Sequence, residues 1–461
     1  MQSMKSGIER FEIEYEKREK DLLEEYFTFL RMPSISSEQD HREDILECAT
    51  WLEQYLKSAG FEAEKWETTG HPVVFAQNTS AGEGKPTVMI YNHYDVQPVD
   101  PLDLWESPPF EPMVRGGEVF ARGAADNKGQ CFYVINAVKA LLQMDKKLPV
   151  NVKLCIDGEE ECASPGLSSI LKEKKEELAA DHLMIVDGGF ATLHRPELTL
   201  GVRGIVSMRV EVTGSKTDLH SGTHGGMVYN PNHALVEMLA ELRDDSGRIT
   251  IPGFYDDIIE LTEEEKKRIN FGFNAERYES LFGAKATGGE KDYSPRESST
   301  IRPTLELNGI GGGYTGAGMK TVIPAQAMAN ISCRLVPDQD PVKVGKLVSD
   351  YLREIKPEGV EVTVTLNPGL GSAVRTTPDS KVVQATATAY QEVLDVPCGY
   401  ILGGGSIPIV SELTKISGGD VVIMGYGLNL DNVHAPNEHF GLDRLKMGFL
   451  TIARALEILA E

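Results

Sequence analysis

Apolar residues fall into two styles along this chain, and the change of style divides it. Through roughly the first two hundred residues, short continuous apolar runs alternate with stretches of helical period. Residues 87–91 (TVMIY), 152–156 (VKLCI), 183–186 (LMIV) and, far downstream, 421–424 (VVIM) read as buried strands bounded by polar residues or glycine. Between the first two, residues 128–142 space Phe132, Ile135, Val138, Leu141 and Leu142 as one helical face. Such alternation predicts an α/β fold with a mostly parallel sheet.

From about Ile205 the pattern becomes IVSMRVEV, a helix over 231–242, TLELNGI, AMANISCRLV, a helix over 341–355, and VEVTVTL. That order is βαββαβ, a small ferredoxin-like sandwich. The segment 245–300, with its KATGGEKDYSPRESS stretch, is too poor in apolar residues to be core and reads as a surface excursion. After residue 373 a helix over 382–393 and the 421–424 strand return to the first style. The expected organisation is a small domain (206–372) inserted into a larger one (1–205 and 373–461).

Length and composition change this picture little: 461 residues, 41% hydrophobic and 25% charged, make an ordinary globular chain. The net charge of -24 argues against nucleic acid or an anionic membrane as partner. The first thirty residues are charged throughout, unlike a secretory signal, and no apolar run is long enough to span a bilayer. The six cysteines are scattered without a CxxC pair, which suits a reducing cytoplasm and a role as small buried hydrophobes.

Candidate chemistry sits at the strand ends. His93 and Asp95 follow TVMIY, the run Glu159, Glu160 and Glu161 follows VKLCI, Asp187 follows LMIV, and His434 lies in the loop after VVIM. Open α/β sheets bind ligands at that carboxyl edge. Asp126, in GAADNKGQ just before the helix at Lys128, would complete a cluster. Histidines and carboxylates without thiolate suit zinc, and also manganese or cobalt. A carboxylate bridging two ions would allow two-metal amide hydrolysis. Adjacent glutamates can point apart, one binding metal while a neighbour shuttles protons. Glu159 is expected to be a solvated charge.

HYDVQP, WESPPFEP, GAADNKG, GEEECASPGL, DLHSGTHGG, GMKTVIPAQA, ISCRLVP and GGGSIP occur in this order along nearly the whole chain. The sequence resembles the zinc aminopeptidase and carboxypeptidase family of carboxypeptidase G, aminoacylase and succinyl-diaminopimelate desuccinylase. It is most similar to the branch of cytosolic nonspecific dipeptidase and carnosinase. The resemblance implies that the inserted domain is a lid and dimerisation domain and that the protein is a homodimer. It implies that Asp126 bridges two ions, with His93 and Asp187 on one and Glu161 and His434 on the other. Glu160 would be the general base, and Asp95 would orient His93 through its second ring nitrogen. A cis peptide is implied between Asp126 and Asn127. His220 would stabilise the oxyanion in the partner's site, and Arg334, with Gly405, Ser406 and Thr321, would hold the substrate's terminal carboxylate. A structural ion pair is the alternative for Arg334. Where the family's dipeptidases show Glu-Glu-Ser-Gly-Ser, this chain has Glu160-Glu161-Cys162-Ala163-Ser164. The implied activity is hydrolysis of dipeptides or very short peptides; deacylation of N-acyl amino acids by the same centre, or a silent metal-binding scaffold, are the alternatives.

Overall fold

The computed structural model describes residues 2–461, with side chains from Gly7 onward. Contacts divide the chain into two compact units: residues up to Gly201 with Thr376–Ile401 and Ile409–Glu461, and Val202–Arg375 with Leu402–Pro408.

The first unit is built on a twisted sheet whose strands lie in the order Glu62–Trp66, Val73–Asn78, Asn151–Asp157, Thr87–His93, His182–Val186, Asp420–Met424 and Glu197–Val202. The middle of this order, from Asn151–Asp157 to Asp420–Met424, is parallel, as expected for near-continuous apolar runs covered on both faces. Antiparallel strands flank it. Glu62–Trp66 escapes a periodicity reading because it is an edge strand with exposed charges and only Ala63 and Trp66 buried. The helix Lys128–Asp145 is buried along nearly its whole length. The C-terminal helix Leu442–Ala460 packs on it and on Lys381–Leu394. That approach needs Gly448, where a Cβ would come within 2.6 Å of the Tyr133 ring.

In the second unit, an antiparallel sheet runs Thr304–Gly312, Gln326–Leu335, Gly204–Thr213, Glu361–Leu366. With the helices Pro231–Ala240 and Pro341–Glu354 this is the βαββαβ sandwich. Strict alternation sets its core: Val206, Met208, Val210 and Val212 point inward from one strand, and Ala327, Ala329, Ile331, Cys333 and Leu335 from its neighbour. Both helices begin with Pro at the first turn, after the side-chain caps Asn230 and Asp340.

The segment 245–300 departs from the expectation of a coreless excursion. Ile249, Ile251 and Phe254 are buried in the core of this unit, and short helices follow at Glu263–Arg268, Ala275–Phe282 and Pro295–Thr300. The first and last of these are held by capping boxes at Thr262 with Glu265 and Ser294 with Glu297, which local composition conceals. Among the described residues, no helix is long and apolar enough to cross a membrane. All six cysteines are free; four are buried, Cys398 is half-buried, and Cys162 is exposed against expectation.

Candidate metal centre

The parallel strands deliver their chemistry to one edge. His93 ends its strand, Glu160 and Glu161 follow Asn151–Asp157, Asp187 follows His182–Val186, and His434 lies in the loop beyond Asp420–Met424. Ligand atoms of His93, Glu160 and Asp187 lie within 4.8 Å of one another, as do those of Asp126, Glu161 and His434. Asp126 links the two groups: its Oδ1 is 3.0 Å from His93 Nε2, and its Oδ2 is 2.9 Å from His434 Nε2. The remaining approaches are His93 Nε2 to Asp187 Oδ1 at 3.7 Å and His434 Nε2 to Glu161 Oε1 at 3.2 Å.

The consecutive glutamates separate as the turn Glu160–Cys162 bends. Glu160 faces the His93 group and Glu161 the His434 group. Glu159, expected to be solvated, is instead 8% exposed, and its carboxylate accepts the Gly166 N–H at 2.9 Å. Burying a carboxylate requires such donors.

Buried polar residues brace these side chains. The Asp95 carboxylate accepts the backbone N–H of Glu160 and of Glu161, both at 3.1 Å, and the Ser36 hydroxyl at 2.6 Å. His93 Nδ1 lies 3.1 Å from the Asp95 carbonyl oxygen and 3.4 Å from its Oδ1. A carbonyl only accepts, so Nδ1 carries a proton, and Nε2 is the ring nitrogen turned towards Asp126 and Asp187. The peptide between Asp126 and Asn127 is cis. Asn127 Nδ2 donates to Asp187 Oδ1 and to the Val186 carbonyl, both at 2.9 Å, while its Oδ1 accepts from Asn92 at 2.7 Å. Glu438 accepts from Arg122 (2.8 Å) and from the backbone N–H of Gly123, Ala125 and Asp126 (2.9, 2.9 and 3.0 Å), so one buried carboxylate folds the turn that presents Asp126. Sequence reading missed Ser36, Asn92, Arg122 and Glu438, and of Asn127 it anticipated the cis peptide but not the side-chain bonds. Asn127 and Glu438 lie within a few residues of Asp126 and His434, the one signal that could have found them.

The electrostatics of this cluster call for added positive charge. Burial would raise the Asp126 carboxyl, but His434 and His93 outweigh it and hold the group well below the usual range. His434 is pushed up to about 10 by Asp126 and Glu161. Burial, then the charges of Asp187, Glu161 and Asp126 against the opposing pull of His93, push Glu160 up to about 9. The Glu161 Oε1 atom is buried with no hydrogen-bond donor among the described residues. Imidazole nitrogens and carboxylates converging on one another, and an acceptor without a donor, fit divalent cations as the missing partner.

The other residues singled out in the sequence belong to the second unit. His220 Nδ1 accepts the Gly222 N–H at 3.0 Å, so a neutral ring keeps its proton on exposed Nε2, as a donor. Thr321 is exposed and its carbonyl accepts the Ser221 N–H at 3.0 Å. The Ser406 hydroxyl donates to the Gly204 carbonyl at 3.0 Å, and the Gly405 carbonyl accepts the Arg203 N–H at 2.9 Å. Arg203 also donates from Nε to the Gly404 carbonyl at 2.8 Å, a brace for that turn that sequence reading missed. Arg334 is half-buried and has no ion-pair partner among the described residues.

The model of peptidase family M20/M25/M40 matches residues 89–458. The Cys-Gly metallodipeptidase dug1 of Schizosaccharomyces pombe is 30% identical, over 96% of this chain and 97% of its own. The human (Homo sapiens) Beta-Ala-His dipeptidase is 32% identical, over 80% of this chain and 73% of its own. The crystal structure of the M20 family metallo-carboxypeptidase Sso-CP2 from Sulfolobus solfataricus superposes with a TM-score of 0.83 at 34% identity, covering 95% of this chain and 99% of that one. With its motifs in order, its strand-end cluster and this match across most of its length, the chain belongs to the peptidase family M20/M25/M40.

Proposed function

We propose that this protein is a metallodipeptidase that hydrolyses dipeptides, or very short peptides with a free C-terminal carboxylate, at a centre of two divalent ions. The observation that carries the reading is Asp126, whose two oxygens each face a different histidine, at 3.0 and 2.9 Å. Asp126 would be shared, with His93 and Asp187 completing one ligand set and Glu161 and His434 the other. The nitrogen and oxygen donors favour zinc, with manganese or cobalt as substitutes. Divalent ions held there supply Lewis acidity towards a carbonyl oxygen and lower the pKa of water.

The remaining chemistry belongs to the chain. Glu160, which faces the His93 and Asp187 side of the cluster, is the general base that takes a proton from the attacking water and returns it to the leaving amine. Asp95 fixes both the His93 ring and the backbone of the Glu160–Glu161 turn. His220, donating from Nε2, serves as oxyanion donor in a homodimer formed through the inserted domain. Arg334 takes the substrate's terminal carboxylate, helped by the Gly405 and Ser406 turn and by Thr321. Two relatives named for dipeptide hydrolysis support the substrate class. The free cysteines support a cytoplasmic setting, and the charge of -24 supports a small peptide over nucleic acid or membrane as partner.

The likeness to a metallo-carboxypeptidase favours a second reading, removal of the C-terminal residue from longer peptides. One experiment separates these. Chelated protein reloaded with zinc or manganese is assayed on dipeptides, longer peptides and N-acyl amino acids. Turnover that requires metal and is fastest on dipeptides is the expected result. Preference for longer peptides would establish the carboxypeptidase reading, and preference for acylated amino acids would replace both with a deacylase.

A further inference from the structure

The chain beyond His93 does more than end a strand. Val96 donates its N–H to the Ser34 carbonyl at 2.9 Å and forms a parallel bridge with Ile35, so the backbone stays extended past the sheet. In an extended segment alternate residues share a side. His93, Asp95 and Gln97 are such a set. His93 faces the metal cluster, and Asp95 clamps the Glu160 and Glu161 amides. Gln97 Nε2 donates to Glu161 Oε2 at 2.7 Å.

That bond divides the labour of one carboxylate. The Glu161 side chain is 5% exposed, so each of its oxygens needs a partner. Gln97 serves Oε2, while Oε1, 3.2 Å from His434 Nε2, lacks a hydrogen-bond donor among the described residues. A neutral amide satisfies one oxygen without cancelling the charge, and so leaves the other as a single-oxygen ligand with its full negative character.

We infer that Gln97 is a positioning residue that presents Glu161 through Oε1 alone, and so sets the affinity of the ion on the His434 side without affecting the ion on the His93 side. This inference rests on the two-ion reading above. Gln97→Met keeps the length and packing of the side chain and removes the donor.

The test titrates zinc into apo protein, wild type and Gln97→Met, against a competing chromophoric chelator. Stoichiometry and both affinities are read directly, with the melting temperature of each apo form alongside. The expected result is two ions in the wild type, and in the variant one unchanged affinity with the other weakened roughly ten- to a hundred-fold. The apo melting temperature should fall modestly in the variant, because the buried Glu161 Oε2 loses its donor. Two unchanged affinities, or both weakened alike, would overturn the role of Gln97 while leaving the two-ion reading intact. A wild type that takes up fewer than two ions would overturn that reading, and this inference with it. Gln97→Lys, which restores a donor but adds charge, gives a second handle. It should recover apo stability yet still weaken the same single site, and equal weakening of both sites would count against the assignment.

Discussion

Glu159, Glu160 and Glu161 are chemically identical neighbours with three different environments: one accepts the Gly166 N–H, one faces His93 and Asp187, and one faces Asp126 and His434. Replacing the middle residue therefore tests chemistry without disturbing either neighbour. Glu160→Gln should lower kcat by roughly a hundred- to ten-thousand-fold while metal content, measured by elemental analysis, stays that of the wild type. Full activity in that variant would remove Glu160 from the mechanism. Glu438 acts one step further out. Its buried carboxylate accepts from Arg122 and from three backbone N–H groups, whereas an amide offers one oxygen and turns its own donors on the rest. Glu438→Gln should cost about 3 to 5 kcal/mol in denaturant unfolding, because it leaves the Arg122 charge buried and unpaired. His93 and Asp187 were legible because a strand fixes where its last side chain arrives, and His434 because its loop leaves the same edge of the sheet. Glu438 was not, since a charged residue in a polar loop reads as solvated until its donors are seen.

At the scale of elements, the turn after Glu161 carries an exchange that leaves a mark on the backbone. Ala163 has φ 68 and Ser164 has φ 54, in the left-handed region where an L side chain is unfavourable. Ala163→Gly should therefore raise stability by roughly 1 kcal/mol in chemical denaturation, and a loss on that exchange would contradict the account of the turn. At the opposite end of the strands, the Asp420 carboxylate bonds both the His182 ring and the hydroxyl of Ser380, which precedes the helix Lys381–Leu394. Burial opposes ionisation there, but these two partners hold the Asp420 carboxyl below its ordinary value. A folded-state pKa below the unfolded one gives stability that is present above about pH 4 and lost as pH falls through the folded value. Asp420→Asn should accordingly flatten the decline of melting temperature on acidification below about pH 4, and an unchanged profile would remove this contact from the acid response. The parallel strands and the alternating strands of the sandwich could be read from period alone. The strand Glu62–Trp66 and the buried Ile249, Ile251 and Phe254 could not, because few apolar residues in a charged stretch give no period to read.

For the molecule as a whole, bound metal would belong to the folded state's energetics as well as to its chemistry. The Asp126, Asp187, Glu160 and Glu161 carboxylates crowd one edge of the sheet, and ions that bind only the folded form stabilise it by mass action, about 4 kcal/mol at a thousand times Kd. Exhaustive chelation should lower the melting temperature and abolish turnover together, and zinc or manganese should restore both. The mostly parallel sheet and the βαββαβ sandwich could be read from two styles of apolar period, whereas the pairing of distant loops around Asp126 had no local signal. The central claim is that Asp126 holds two ions at once, and anomalous diffraction from crystals of the zinc-loaded protein tests it most directly. Two peaks about 3.5 to 4 Å apart are expected on either side of the Asp126 carboxylate, one beside His93 and Asp187 and the other beside Glu161 and His434. A single peak, or peaks away from Asp126, would contradict it.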